Sequence, residues 1–170
     1  MAGVVMPHGI LFRGGAEGKI RKAIIDQDLI EAVIGLPANL FYGTGIPACL
    51  LIINRNKPEV RKGHIFMIAA EDEYQPGKNQ NALRKEDVEK IVATLEKYED
   101  VEKYARKVSL QEIAENDYNL NITRYIDKSE EEEQVNIPNV LKEIEAIKKA
   151  QQENTLKLNE YLRELGMGEL

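Results

Sequence analysis

The stretch 3–37, GVVMPHGILFRGGAEGKIRKAIIDQDLIEAVIGLP, decides the fold. Its first five residues, GVVMP (3–7), form an apolar run that reaches full burial almost at once, the pattern of a central strand in an α/β sheet. FRGGAEGK (12–19) then supplies a glycine-rich turn. Ile20, Ala23 and Ile24 follow at a spacing near 3.6, which predicts a helix over 19–29. EAVIGLP (31–37) reads as the next strand, stopped by Pro37. Strand, turn, helix and strand make a βαβ unit, so the class is α/β with helices packed on a sheet.

Working outward, ANLFYGTGIP (38–47) is a turn-rich loop, and ACLLIINRN (48–56) is a third strand, apolar on both faces. HIFMIAA (64–70) is a fourth, reached through the basic connection NKPEVRKG. The polar run EDEYQPGKNQNALRKED leads into a helix over 85–98. Ser109 and Glu112 form an S-x-x-E capping box opening a short helix that gives way at Asn116, and DYNLNITRYI reads as irregular or extended chain. SEEEE (129–133) carries too much like charge to pack on itself and reads as a linker. No helix breaker interrupts 138–165, and Gly166 follows as a C-terminal cap. Ile137, Val140, Ile144, Ile147, Gln151, Asn154, Leu158, Tyr161 and Leu165 step by three and four, giving a seam for a partner helix with two amides in its middle. A fold back onto the α/β domain is the alternative. The expected organisation is an α/β domain over 1–128, an acidic linker over 129–137 and an amphipathic helix over 138–166.

Composition narrows the function. The chain has 170 residues, 43% hydrophobic and 31% charged, with a net charge of -6 and a single cysteine. Cys49 has no partner for an intrachain disulfide and lies in an apolar run, which predicts packing in a reducing compartment. No apolar run approaches the roughly 20 residues that span a bilayer, and the first residues lack a basic, then apolar, leader pattern, so a cytoplasmic protein is expected. Two histidines without a CxxC or HExxH spacing argue against a metal site. Residues 1–70 hold eight Lys and Arg against five acids, a balance of +3 that leaves -9 on the rest. A polyanion is therefore expected to meet the front half.

The string GVVMPHGILFRGGAEGKIRKAIIDQDLIEAVIGLPANLFYGTGIPACLLIINRNK, with GKNQNALRKEDVEKIV and ENDYNLNITRYID further on, resembles the modification (M) subunit of type I restriction-modification systems. That family is an N6-adenine DNA methyltransferase, and the blocks recur in order over essentially the whole chain. The resemblance implies the C-terminal part of a Rossmann-like, S-adenosylmethionine-dependent methyltransferase sheet followed by a long C-terminal helix. It also implies a target adenine flipped into a pocket beside the cofactor. The partners it implies are DNA, the specificity (S) subunit and the restriction (R) subunit. The chain departs from the family in lacking both the F-x-G-x-G-like cofactor loop and the N-P-P-[FY] motif that accepts the adenine amino hydrogens. No catalytic residue is therefore expected in this chain, which is expected neither to bind S-adenosylmethionine nor to transfer methyl groups alone. The alternative reading is a non-catalytic assembly module docking the specificity subunit through its helix. A half-sheet with an open edge also predicts self-association.

Within that resemblance, NLFYGTGIP aligns with the segment offering an aromatic ring to the flipped base, which singles out Phe41 and then Tyr42; the competing role for Phe41 is to anchor its loop in the core. Arg55, Lys57, Arg61 and Lys62 cluster on one connection and are candidates for DNA phosphate contact, or make an ordinary basic surface. GGAEGK (14–19), with Lys19 and Arg21, is a glycine turn that also has the form of a phosphate cradle. His8 reads as a hydrogen-bonded loop residue at the active-site edge rather than a general base. KNQN (78–81), Arg124 and Tyr125 have no role assigned from sequence.

Overall fold

The computed structural model describes residues 1–129 and 137–164. The chain divides into two compact units, Met1–Lys128 and Ser129–Leu170.

In the first unit, strands β1 (Ala2–Pro7), β2 (Ile30–Gly35), β3 (Ala48–Ile53), β4 (His64–Ala69) and β5 (Ala105–Ser109) form one mixed sheet in the order β1-β3-β2-β4-β5. β3 is antiparallel to both β1 and β2, β2 is parallel to β4, and β5 returns antiparallel on β4. β1, β2 and β4 therefore point the same way. Helix α1 (Gly15–Asp26) carries the chain from β1 to β2, and β3 fills the place between those two strands.

Alternation along the central strands divides the core into two layers. Val33, Ile65 and Met67 face a cluster completed by Leu11, Ile25, Ile113, Leu120, Ile122 and Tyr125. Ala32, Ile34, Phe66 and Ile68 face the other side, where they meet Ile91, Tyr98 and Tyr104. Helix α2 (Lys85–Lys97) supplies Ile91 to this second layer, while α1 and α3 (Leu110–Glu115) cover the first. Residues 32–35 of β2 and 65–69 of β4 are apolar because both of their faces are covered.

Two expectations from the sequence change, one strand is added and one irregular run proves to be buried. GVVMP is an edge strand, not a buried central one: Val4 and Val5 are 37% and 50% exposed, and among the described residues only β3 pairs with β1. An apolar run specifies that a strand's faces favour cover, not which strands flank it. Helix α1 starts four residues earlier than its apolar period, with Gly14 at its N-cap, and it stops short of Asp28, whose φ of +53° leaves helical space. β5 escapes a hydropathy reading because ARKVS carries Arg106 and Lys107 on an edge strand. The run DYNLNITRYI is irregular with one turn of 3-10 helix, yet it buries Leu120, Ile122, Tyr125 and Ile126. The capping box opening α3 forms, with Ser109 Oγ accepting from the Glu112 N–H at 3.1 Å.

In the second unit, helix α4 spans Ile137–Glu164, 28 residues, which at 1.5 Å per residue is about 42 Å. Residues 130–136, and with them most of the acidic run 129–133, lie outside the described residues.

Candidate functional site

The carboxyl ends of β1, β2 and β4 gather at one end of the sheet, with Gly35 opposite Ala69 in the β2–β4 pairing and Pro7 opposite Ala48 on β3. Ligand sites of open α/β sheets form outside such ends. The segment leaving β2 is pinned at its neck: the Leu36 N–H donates to Ala48 O at 2.9 Å, and the His8 N–H donates to Pro47 O at 3.0 Å. His8 also sets its ring edge-on to Phe12, with centroids 6.0 Å apart. Its Nε2 is buried with no hydrogen-bond partner among the described residues, so the expected side-chain hydrogen bond is not formed there. Burial lowers the imidazole pKa, with Glu71 opposing, so the neutral ring is favoured.

Glu71 and Asp72 follow β4 at this end. A Cβ on Gly35 would fall 2.0 Å from Glu71 Oε1 and 3.0 Å from Ile122 Cδ1, so the glycine is what admits the carboxylate over β2. Lys128 Nζ donates to Glu71 at 2.9 Å and to Asp72 at 2.7 Å. Burial disfavours the charge on Lys128, but its two carboxylate partners outweigh that and raise its pKa.

The loop 38–47 projects from the neck. Leu40, rather than Phe41, packs on the core, and Phe41 and Tyr42 are 41% and 92% exposed. The chain turns through left-handed backbone at Asn39 (φ +53°) and Gly43 (φ +77°). A second loop, 75–82, lies against it. The Asn81 side-chain amide donates to Ala38 O at 2.9 Å, the Asn81 N–H donates to Asn39 O at 2.8 Å, and the Gln80 amide donates to Leu40 O.

The structure does not bring every sequence candidate here. Arg55, Lys57, Arg61 and Lys62 lie beyond the carboxyl end of β3, at the other end of a strand about 20 Å long. Lys57 is buried and bonds Asp28 and the His64 carbonyl. Arg61 bonds Glu31 at 2.6 Å, and Lys62 pairs with Glu59. Three of the four cations are thus already neutralised, and Lys57 is out of reach of a phosphate. Arg21 is likewise spent: its guanidinium donates to the carbonyls of Tyr118, Ile10 and Arg13, stapling three segments together. Cys49 is fully buried, and burial pushes its thiol up to about 11. Tyr125 donates its hydroxyl to Asn119 O and has its pKa raised to about 12 by burial, a packing role. Along α4, the described seam residues Ile144, Ile147, Gln151, Asn154 and Leu158 are all exposed. Leu165 and the side chains of Ile137, Val140 and Tyr161 lie outside the described residues.

A cavity of about 260 Å³ opens between β1 and α1, lined by aliphatic side chains with Glu17 and Arg21 as its polar members. With the Arg21 guanidinium spent on backbone carbonyls, this lining does not fit S-adenosylmethionine, whose ribose, amino and carboxylate groups each need a polar partner. No group of His, Cys, Asp or Glu among the described residues is arranged to hold a metal ion.

Gly35, Glu71, Lys128, Gln80 and Asn81 escaped assignment from sequence. The available signals were the acidic pair directly after a wholly apolar strand and the two adjacent amides in a polar loop; neither says which carbonyl or carboxylate lies opposite.

A family model described as N-6 DNA Methylase matches residues 1–134. The chain is 45% identical over 154 residues to the type I restriction enzyme MjaVII methylase subunit of Methanocaldococcus jannaschii, covering 89% of this chain and 27% of that protein. It is 42% identical to the MjaVIII methylase subunit of the same organism, covering 96% of this chain and 29% of that protein. The chain thus spans between a quarter and a third of these relatives' length. Among solved structures, a type I restriction-modification methyltransferase subunit from Streptococcus thermophilus superposes with a TM-score of 0.70 at 46% identity, covering 75% of this chain and 26% of that one.

Proposed function

This chain belongs to the N-6 DNA methylase family of type I restriction enzyme methylase subunits, and on that premise we propose that it supplies the target-base side of an N6-adenine DNA methyltransferase. The observation that carries the proposal is the loop 38–47, pinned at its neck on the carboxyl end of the sheet and holding Phe41 and Tyr42 out of the core. A flipped base is held by stacking, worth about 1–3 kcal/mol per base when tested by alanine substitution. Phe41 is the proposed stacking residue and Tyr42 the second. S-adenosylmethionine is the proposed methyl donor of the whole enzyme, held by residues outside this chain, and the chain alone is proposed to be inactive.

The test uses a methylase subunit carrying this segment, assembled with its specificity subunit on DNA with 2-aminopurine at the target position. Phe41→Ala is expected to alter the 2-aminopurine emission and weaken capture of the base while leaving S-adenosylmethionine affinity unchanged. Equal loss of both would assign Phe41 a structural role. Micromolar S-adenosylmethionine affinity of the 170-residue chain alone would overturn the placing of the cofactor outside this chain, and methyl transfer by it would overturn its inactivity.

The exposed stripe on α4 favours a second, compatible role. Leu141, Ile144, Ile147 and Leu158 are between 42% and 66% exposed on one helix, and an apolar stripe with Gln151 and Asn154 in line suits a helical partner whose register the amides set. The specificity subunit is the proposed occupant, in a complex that also engages DNA and the restriction subunit. Copurification of the full chain and of a version ending at residue 133 decides the matter: loss of the shorter one alone identifies α4 as the docking element, and retention of both places docking on the α/β unit.

A further inference from the structure

We infer that Gln80 and Asn81 are positioning residues for the target base, acting through the loop 38–47; the inference rests on the proposed role of that loop. The loop makes few bonds of its own. Between its neck and its tip the one internal side-chain bond runs from the Ile46 N–H to Thr44 Oγ1, at 3.2 Å among exposed groups. Its remaining order comes from the loop 75–82, which reaches three consecutive carbonyls, Ala38, Asn39 and Leu40, with three N–H donors from two residues.

Peptide planarity makes this bracing act on the ring. Leu40 O belongs to the peptide whose nitrogen is that of Phe41, so holding the oxygen fixes the plane from which Phe41 departs. Only φ and the side-chain torsions of Phe41 remain to aim it. With Leu40 anchored in the core on the same peptide, the ring is presented from a braced base although it is itself exposed.

The brace is itself anchored. Gln75 and Ala82 exchange backbone hydrogen bonds of 2.8 and 3.0 Å, closing the loop at its base. Within it, a Cβ on Gly77 would fall 2.0 Å from Gln80 O, a tight turn that a side chain cannot enter without moving backbone. Two residues beyond Ala82 the chain is tied to α2, where the Asp87 carboxylate accepts the Arg84 N–H at 2.8 Å and its guanidinium at 2.7 and 3.0 Å. The adjacent amides of KNQN thus link the segment that enters α2 to the loop that carries Phe41. Amides suit the task because each donates to a carbonyl without bringing a charge to the approach of DNA, and a carboxylate of the same shape would face the carbonyl lone pairs and repel them.

Gln80→Glu and Asn81→Asp keep side-chain shape and remove the two side-chain donors, leaving the Asn81 N–H on Asn39 O. In the 170-residue chain, the double variant is expected to raise hydrogen exchange of the Asn81 amide, which donates to Asn39 O, by about tenfold, with β2 and β4 unchanged. In the assembled methylase it is expected to move the 2-aminopurine emission in the same direction as Phe41→Ala and to lower kcat by about tenfold to a hundredfold, as a misaimed group does. The KM for S-adenosylmethionine should stay unaltered, which general unfolding would not allow. Unchanged exchange at the Asn81 amide, or unchanged emission and kcat where Phe41→Ala alters both, would overturn the positioning role while leaving the loop's role intact. Indifference of emission and kcat to Phe41→Ala and Tyr42→Ala would instead overturn the loop's role and the inference with it. Should the double variant unfold, the single Gln80→Glu variant, which removes the donor to Leu40 O and keeps both Asn81 bonds, carries the same expectations at smaller size.

Discussion

At Glu31 a carboxylate only 1% exposed is held by Asn54 Nδ2 and Arg61 Nη1, each at 2.6 Å. A buried charge is tolerated when its lone pairs are satisfied and is costly when a partner is removed. Arg61→Leu is therefore expected to destabilise the chain by about 3 kcal/mol, read as a lowered urea midpoint. His8 gives a pH dependence of defined sign. Its folded pKa lies below the unfolded value of about 6.5, so the unfolded chain binds the proton more readily and stability falls as pH drops through that value. Urea midpoints at pH 8 and pH 5.5 should differ, and His8→Gln should narrow the difference; an unchanged difference would remove His8 as its source. Neither group announces itself in sequence. Glu31 sits at the head of an apolar strand, and its partners lie 23 and 30 residues away.

Among the elements, the loop 38–47 and helix α4 present side chains that the fold leaves uncovered. Period alone predicts the α4 stripe, since steps of three and four return to one face of any helix, and the described members of that stripe are exposed. If the stripe serves a partner and not the chain's own stability, Ile147→Lys with Leu158→Lys should abolish retention by the specificity subunit while leaving the urea midpoint of the chain within experimental error. A lowered midpoint would mean that the stripe is packed within the chain. The aromatic pair of the 38–47 loop was legible as a motif by resemblance, but its support was not. Four residues of KNQN look like any polar turn until the carbonyls of Ala38, Asn39 and Leu40 are placed opposite them.

For the whole molecule, the sheet has unequal edges. β5 ends it with Arg106 and Lys107, the charged blunting that protects an exposed strand. β1 ends it with Ala2, Gly3, Val4 and Val5, all exposed, beside the aliphatic cavity against α1. The expectation is concentration-dependent self-association of the 170-residue chain through this edge, weakened by Val5→Lys, with sedimentation velocity as the measurement. A monomer at every concentration would overturn it. The sequence by itself determined the class of fold, most of the strands and helices, and, by resemblance, the family, because hydropathic period and residue order are local properties of the chain. Tertiary structure alone decided that β3 enters between β1 and β2, leaving β1 at an edge. It also decided that Lys57 and Arg61 are spent on Asp28 and Glu31, and that the amides of Gln80 and Asn81 brace the loop of Phe41. Those outcomes depend on which distant groups meet across the sheet, and pairing between segments some 30 to 40 residues apart leaves no periodic trace in the sequence of either.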